Sequence, residues 1–238
     1  MIVPPQSRLL ASLSLFAALC IAPHAFAQSG PDPLAPLPPT AIQAAPTGSL
    51  TLGDRLKLEL KLNFGPANFV VPAFEAGFRM ADPEPADPPN WRRGFGGFAR
   101  NYGADFALTT TAGFGRFTAD AIMRHDPRYY PSSSPRAGRR FLHALAFTLA
   151  DNTDSGSRGF AFGNFAGAAA AGGVSMAIYP HGFNDFTHAS QRFYLQMGNF
   201  AAHNLFAEFA PEAIRLARVF HIPDKLSGAL LPADRKQP

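Results

Sequence analysis

The densest group of chemically capable side chains lies in residues 125–130, HDPRYY. A histidine beside an aspartate could act as a base and the group that orients it. An arginine among tyrosines suits the binding of an anion. A second polar segment, TDSG at 153–156, adds an aspartate. The candidate ligand-binding residues are therefore His125, Asp126, Arg128, Tyr129 and Asp154.

The same segments also have an explanation without chemistry, and we favour it. Asp126 precedes a proline and can form a turn, while the arginine can bond carbonyl groups at a helix end. The tyrosines can pack with their hydroxyls at the surface. Ser155 lacks the strand and the flanking glycine of a hydrolase nucleophile elbow. No catalytic residue is assigned, and a small-ligand binder or hydrolase-type enzyme stays an alternative.

Metals, cofactors and nucleic acids receive no support from the sequence. None of the histidines forms the helical i, i+4 pair with an acidic neighbour that metalloproteases have, so no metal site and no cofactor are predicted. The net charge of +4 is too small to indicate nucleic-acid binding. It is compatible with an anionic membrane surface. One basic patch could meet lipid phosphates or form a solvated surface: Arg124, Arg128, Arg136, Arg139 and Arg140.

The first residues predict export. Residues 1–27 have the form of a signal peptide, with Arg8 before an apolar run and an Ala-Phe-Ala cleavage site at its end. An uncleaved anchor is the alternative. The single cysteine, Cys20, lies in this segment, so the mature chain would contain no disulfide. We expect a protein of the periplasm or the outer envelope.

After the leader, composition indicates one helical domain. Residues 28–50 are a proline-rich linker, 51–222 the domain and 223–238 a loose tail. Phenylalanine is abundant, with 23 residues, and only 16% of residues are charged. The predicted fold is all-α, a single bundle of about five to seven helices around a central Ala/Gly-rich helix.

The central helix is predicted at 159–179, which contains no charged residue. Small residues recur at every fourth position, so a neighbouring helix could approach closely along one stripe. The predicted packing residues are Gly163, Asn164, Gly167 and Ala171. The segment is about 30 Å long as a helix, enough to span a bilayer. Its apolar character is weak, so we favour a buried helix and keep an integral membrane protein as an alternative.

Several other elements are predicted with less regular patterns. In 52–64, alternating leucines favour a strand, whereas Thr51 and Asp54 resemble a helix capping box; we favour the helix. The glycines and threonines of 109–115 predict a kink or break. Residues 151–158 are predicted to be a turn-rich connector. Ser134 is expected to cap a helix that starts at the next residue, and Asn184 or Asp185 another helix.

Five short segments in order resemble a family of exported bacterial proteins of unknown function: HDPRYY at 125–130, TDSG at 153–156, GNFAG at 163–167, IYP at 178–180 and FAEFAP at 206–211. The resemblance covers roughly 52–218 and implies an all-helical outline without implying an activity. Ala210 and Glu212 depart from it, because the family has a tryptophan and an aspartate there. The expected role is structural or interactive, and the expected partners are envelope lipid or another envelope protein; the oligomeric state is left open.

Overall fold

The computed structural model describes residues 50–83 and 87–219. The predicted signal peptide, the tail and the linker up to residue 49 lie outside the described residues. The α-helices are α1 (Leu52–Asn63), α2 (Pro66–Ala81), α3 (Gly94–Met123), α4 (Ala137–Leu149), α5 (Phe162–Ile178), α6 (Phe186–Glu208) and α7 (Ala210–Val219), with a short 3₁₀ turn at Pro89–Trp91. The predicted all-α class and the helical bundle are confirmed.

Helix α1 confirms the helical interpretation of the leucine-rich segment. The Thr51 hydroxyl accepts a hydrogen bond from the backbone N–H of Asp54 at 3.2 Å, which is the expected cap. The buried residues of α1 recur at helical spacing, but most are polar: Arg55, Leu58, Glu59 and Asn63. The helix is therefore positioned by inward-facing polar groups, while Leu52, Leu56 and Leu60 stay exposed.

Helix α3 runs unbroken for 30 residues, so the predicted kink at 109–115 is wrong. The glycines there are contact points. A Cβ on Gly113 would lie 2.3–2.4 Å from side-chain atoms of Asn63 and Glu59 on α1, and one on Gly115 would lie 3.0 Å from Gly167 Cα on α5. Close packing on both sides outweighs the weak helix propensity of glycine.

Helix α5 lies between α3 and α6. A Cβ on Gly167 would meet the Ala112 carbonyl oxygen of α3 at 2.4 Å, and one on Gly172 would meet the Ala189 carbonyl oxygen of α6 at 2.9 Å. Backbones therefore approach to contact on two sides of α5. The helix begins at Phe162, three residues after the predicted start at 159, because the preceding residues form a strand.

A small antiparallel sheet, in the order β1-β2-β3, joins α3, α4 and α5. Its strands are β1 (His125–Asp126), β2 (Ala150–Thr153) and β3 (Arg158–Phe160). His125 is paired with Thr153, and Asp151 with Gly159. The prediction of a turn-rich connector at 151–158 is therefore corrected, because half of these residues lie in strands. The segment is short and polar, so it shows no apolar alternation from which a strand could be recognised.

Two predicted caps have different outcomes. Asp185 caps α6 by accepting a hydrogen bond from the His188 N–H at 3.0 Å, as expected. The expectation that Ser134 caps α4 is wrong. The helix begins at Ala137, and its N-cap residue, Arg136, makes no capping hydrogen bond with its side chain. Ser134 instead accepts a hydrogen bond from the Arg136 N–H at 3.3 Å, which closes a turn before the helix.

Candidate functional site

Asp126 serves to close its own loop. Its carboxylate accepts hydrogen bonds from the Arg128 N–H at 3.0 Å, the Arg128 guanidinium at 2.7 Å and the Tyr130 hydroxyl at 2.7 Å. Burial disfavours the charged carboxylate, but these hydrogen bonds hold the pKa of Asp126 below its usual range. Arg128 and Tyr130 thus donate to Asp126 in their own loop, whereas the sequence analysis expected the arginine to bond helix-end carbonyls and the tyrosine hydroxyls to lie at the surface.

Tyr129 belongs to a different polar cluster, centred on Glu208 of α6. The Tyr129 hydroxyl donates to the Glu208 carboxylate, which also accepts from the Ser132 N–H and the Arg140 guanidinium, each at 2.9 Å. Glu208 is completely buried. Arg140 continues to Glu212 on α7. This cluster ties the 125–134 loop to the end of the bundle.

Asp154 is held by Arg55, a residue that the sequence analysis did not select. One terminal nitrogen of Arg55 lies 2.6 and 2.7 Å from the two oxygens of Asp154. The other donates to the backbone carbonyls of Asp120, at 3.3 Å, and of His125. Arg55 is buried, so one arginine of α1 fastens the end of α3 to the β2–β3 turn.

A surface depression of about 270 Å³ lies beside this arginine, lined by Leu50, Leu52, Arg55, Ala121, Arg124 and Asp154. Of the five candidate ligand-binding residues, Asp154 alone lines it. The other four face their own loop, the Glu208 cluster or the interior. The structure thus divides the five candidates among separate sets of contacts.

His125 lies in the interior together with Asp120 and Asp151, two residues that were not among the candidates from the sequence. Asp120, His125 and Asp151 bring one ligand atom each to within 4.8 Å of one another, and all three are buried. Both carboxylate oxygens of Asp120 and Nδ1 of His125 are buried without a hydrogen-bond partner. Buried polar atoms almost always have partners in folded proteins. We refer to these three residues as the Asp–His–Asp cluster.

Local structure explains how the cluster assembles. Arg124 has the left-handed conformation, φ +57°, which turns the chain sharply between α3 and β1 and brings His125 back toward Asp120. His125 faces Thr153 across the sheet. Asp151 is two residues from Thr153 on the same strand, so its side chain is on the same face of the sheet as His125.

Two glycines leave room for these side chains. A Cβ on Gly163 would lie 2.1 Å from Oδ1 of Asp120, and a Cβ on Gly159 would lie 3.2 Å from the ring of His125. The predicted packing residue Gly163 therefore faces a carboxylate. Gly167 and Ala171 are buried along α5, and Asn164 donates to the Thr148 carbonyl of α4 at 3.0 Å.

Electrostatics make the cluster unusual. Burial raises the pKa of Asp120 to about 7, with Arg116 opposing the rise and Asp151 adding to it. Burial also raises the pKa of Asp151 to about 6. The pKa of His125 is lowered by burial and by the charge of Arg55. Burial thus disfavours the charged forms of all three groups in one interior region.

A second feature lies on α2, whose polarity is reversed. Among its described side chains, those that are exposed are all apolar, including Val70, Val71, Phe74 and Phe78. These four residues recur at helical spacing and form what we call the outer face of α2. The polar residues face inward: Asn68 donates to the Asn63 carbonyl, and Arg79 pairs with Asp105 at 3.1 Å.

Glu75 also lies on the inward side of α2. Burial and the nearby charge of Asp105 raise the pKa of Glu75 to about 7. A surface helix of a globular protein ordinarily shows charged residues to water and apolar residues to the core. Helix α2 shows the opposite arrangement, and the sequence analysis did not recognise it.

The hypothesis of a membrane span at 159–179 requires a long apolar helix. Within residues 50–83 and 87–219, no helix combines the length and the apolar character needed to cross a bilayer.

Comparisons of the chain with protein-family models, curated proteins and solved structures gave no match.

Proposed function

We propose that this chain is an exported interaction protein of the bacterial cell envelope that docks on an anionic lipid surface through the outer face of α2. The outer face carries the proposal. Phe74 is 74% exposed, Phe78 59% and Val70 55%, with no charged residue among the exposed residues of the helix that the structure describes. Exposed apolar faces of this kind mark sites of interaction with proteins or membranes.

Helix α2 has the dimensions of an interfacial helix. Its 16 residues span about 24 Å, and its apolar side can enter the boundary between headgroups and acyl chains. Transfer of a single phenylalanine side chain from water to an apolar phase is favourable by roughly 1.5–3 kcal/mol. Phe74 and Phe78 together therefore supply several kcal/mol toward binding.

The charges on the preceding helix, α1, favour lipid over a protein partner. Helix α1 exposes Lys57 and Lys61 beside its exposed leucines Leu56 and Leu60. A basic residue near an anionic surface contributes about 1 kcal/mol. Lysine stems also extend along an apolar surface while the ammonium groups remain in water. Apolar contact from α2 and basic groups on α1 form the combination that anionic bilayers attract.

The predicted signal peptide would deliver the chain to the compartment where such lipids lie, and the resemblance to exported bacterial proteins agrees with this location. The alternative of a small-ligand binder or enzyme at 125–130 gains little from the geometry. Asp126, Arg128 and Tyr130 bond to one another, and Tyr129 bonds to Glu208.

Vesicle flotation tests the proposal. The protein is mixed with vesicles containing phosphatidylglycerol and centrifuged through a density gradient. We expect the wild type to float and Phe74→Asp to lose at least about tenfold in binding, since a charge replaces an inserted ring. Leu142→Asp on α4 is the matched control, because Leu142 is similarly exposed, at 66%, and should have no effect.

Three outcomes contradict lipid docking. The wild type could stay at the bottom of the gradient, or the two aspartate variants could lose binding equally. The wild type could also form a concentration-dependent dimer that Phe74→Asp dissociates, with no vesicle binding. That last result would assign the outer face of α2 to a second copy of the chain.

A further inference from the structure

We propose that Asp120, His125 and Asp151 bind a divalent transition-metal ion, with Zn²⁺ as the first probe. This inference is independent of lipid docking, because it concerns an interior site formed by α3 and the small sheet. It rests on the convergence of three ligand side chains, on their burial and on polar atoms that lack other partners.

The ligand types suit such an ion. Imidazole nitrogen and carboxylate oxygen bind zinc at about 2.0–2.2 Å, and catalytic zinc sites use three protein ligands with one open position. One histidine and two carboxylates also suit iron(II) and manganese(II). Calcium and magnesium are disfavoured, because they take oxygen ligands and many waters. None of the three ligands is a thiolate, and zinc can be bound by nitrogen and oxygen ligands alone.

The spacing suits an ion after a small adjustment. The ligand atoms lie within 4.8 Å of one another. Around a tetrahedral zinc, ligand atoms are separated by about 3.3 Å, so a pair at the 4.8 Å limit would have to approach by about 1.5 Å. The backbone of all three residues is fixed by hydrogen bonds. The ligand atoms must therefore approach one another by rotation of the side chains.

The surroundings hold that backbone in place. Arg55 donates to the carbonyls of Asp120 and His125, and the pairing of β1 with β2 fixes His125 relative to Asp151. These contacts fix the backbone from which the Asp120 and His125 side chains project. Arg55 is a positioning residue here, since it contacts the ligands' backbone and not the ion.

Metal binding would also give the buried polar atoms of the Asp–His–Asp cluster the partners that they lack. Asp120 is 1% exposed, and its two oxygens have no hydrogen-bond partner. A dication between Asp120 and Asp151 would balance two carboxylate charges and accept the lone pair of a ring nitrogen of His125. Arg116 and Arg55 already bring positive charge near Asp120, but neither donates a hydrogen bond to its carboxylate oxygens, so a directly bound ion would supply the missing partner.

The test is a competition titration of the full-length chain. The protein is freed of metal with a chelator, and Zn²⁺ is then divided between the protein and a chromophoric chelator of known affinity. We expect one tight equivalent. Even partners of metal ligands alter affinity by 10–100-fold, so Asp120→Asn and His125→Gln should each weaken binding by at least about 100-fold. His188→Gln, in an exposed His–Asp pair, is the matched control and should keep full affinity.

A second measurement guards against loss of folding in the variants. Far-UV circular dichroism establishes that each variant is helical. Independently of the titration, cobalt(II) bound to the wild type should give the visible absorption of a four- or five-coordinate site. If a variant is unfolded, Asp151→Asn replaces it. The proposal is overturned if wild type binds neither Zn²⁺ nor Co²⁺ tightly, or if folded Asp120→Asn binds as wild type does.

Discussion

Two identical substitutions on α5 test whether close helix packing organises this bundle. Gly167→Ala places a methyl group 2.4 Å from the Ala112 carbonyl oxygen, whereas Gly173→Ala meets nothing within 4 Å. Both positions lie within the same helix. Both replacements remove a glycine from a helix interior, so they share the same propensity gain and differ in their surroundings.

The magnitudes follow from that difference. Replacing glycine by alanine in a helix interior is favourable by about 1 kcal/mol. A contact of 2.4 Å with backbone must open by about 1 Å, because ordinary contacts begin near 3.4 Å. Overpacking of a tight core costs typically 1–3 kcal/mol, occasionally more. Backbone cannot rotate away as a side chain can, so we expect the upper part of this range at Gly167.

We therefore expect Gly173→Ala to raise the free energy of unfolding by about 1 kcal/mol and Gly167→Ala to lower it by roughly 1–2 kcal/mol. Trp91, the only tryptophan, lies 4.7 Å from the Tyr179 ring just after α5, so its fluorescence reports denaturant unfolding of this region. Equal stabilisation by both substitutions would refute close contact between α3 and α5.

Three further changes probe other elements. Thr51→Ala should lower the free energy of unfolding by about 1 kcal/mol in urea titrations through loss of the α1 cap, with an unchanged m value. Glu208→Ala should cost about 3–5 kcal/mol, since it leaves buried donors unpaired, whereas Glu212→Ala, whose side chain is 48% exposed, should cost under about 1 kcal/mol. The pKa of Glu75 is raised from 4.5 to about 7, so its stabilising effect is complete below pH 4.5 and disappears as pH rises through 7. Stability should fall by about 3 kcal/mol over that range in the wild type, and by less in Glu75→Gln; parallel pH profiles would contradict the assignment.

The bundle and its central helix could be predicted because they depend on local sequence. A chargeless run of glycine and alanine and the cap at Asp185 are visible in the chain itself. The kink predicted in α3 illustrates the limit. Glycine and threonine lower helix propensity, but Gly113 and Gly115 lie where other helices come within contact distance. That information is tertiary and does not appear in a local pattern.

The Asp–His–Asp cluster could not be predicted for a related reason. Asp120 and Asp151 are far apart in sequence, and only the turn at Arg124 and the pairing of β1 with β2 bring them together. The strands are two to four residues long, too short for alternation to identify them. One usable signal was present: Gly159 and Gly163, which the sequence analysis placed in the central helix, with Gly163 as a packing residue.

The outer face of α2 could have been recognised. Val70, Phe74 and Phe78 form a regular stripe in the sequence, although Pro72 within the segment argues against a continuous helix. The structure continues the helix through Pro72, so the stripe is complete. An apolar stripe usually indicates the buried face of a helix. The burial of Pro72 and Ala76 and the contacts of Asn68 and Arg79 show that the other face is inside.

The most direct test of lipid docking is a fluorescent probe placed on the outer face of α2. Cys20, the only cysteine, is replaced by serine, and a single cysteine at position 74 is labelled with an environment-sensitive dye. Labelling at position 142 on α4 provides the control. On addition of phosphatidylglycerol vesicles, the account predicts a blue shift and a gain in intensity for the dye at position 74, with no change at 142. An unchanged spectrum at position 74, or equal shifts at both positions, would contradict it.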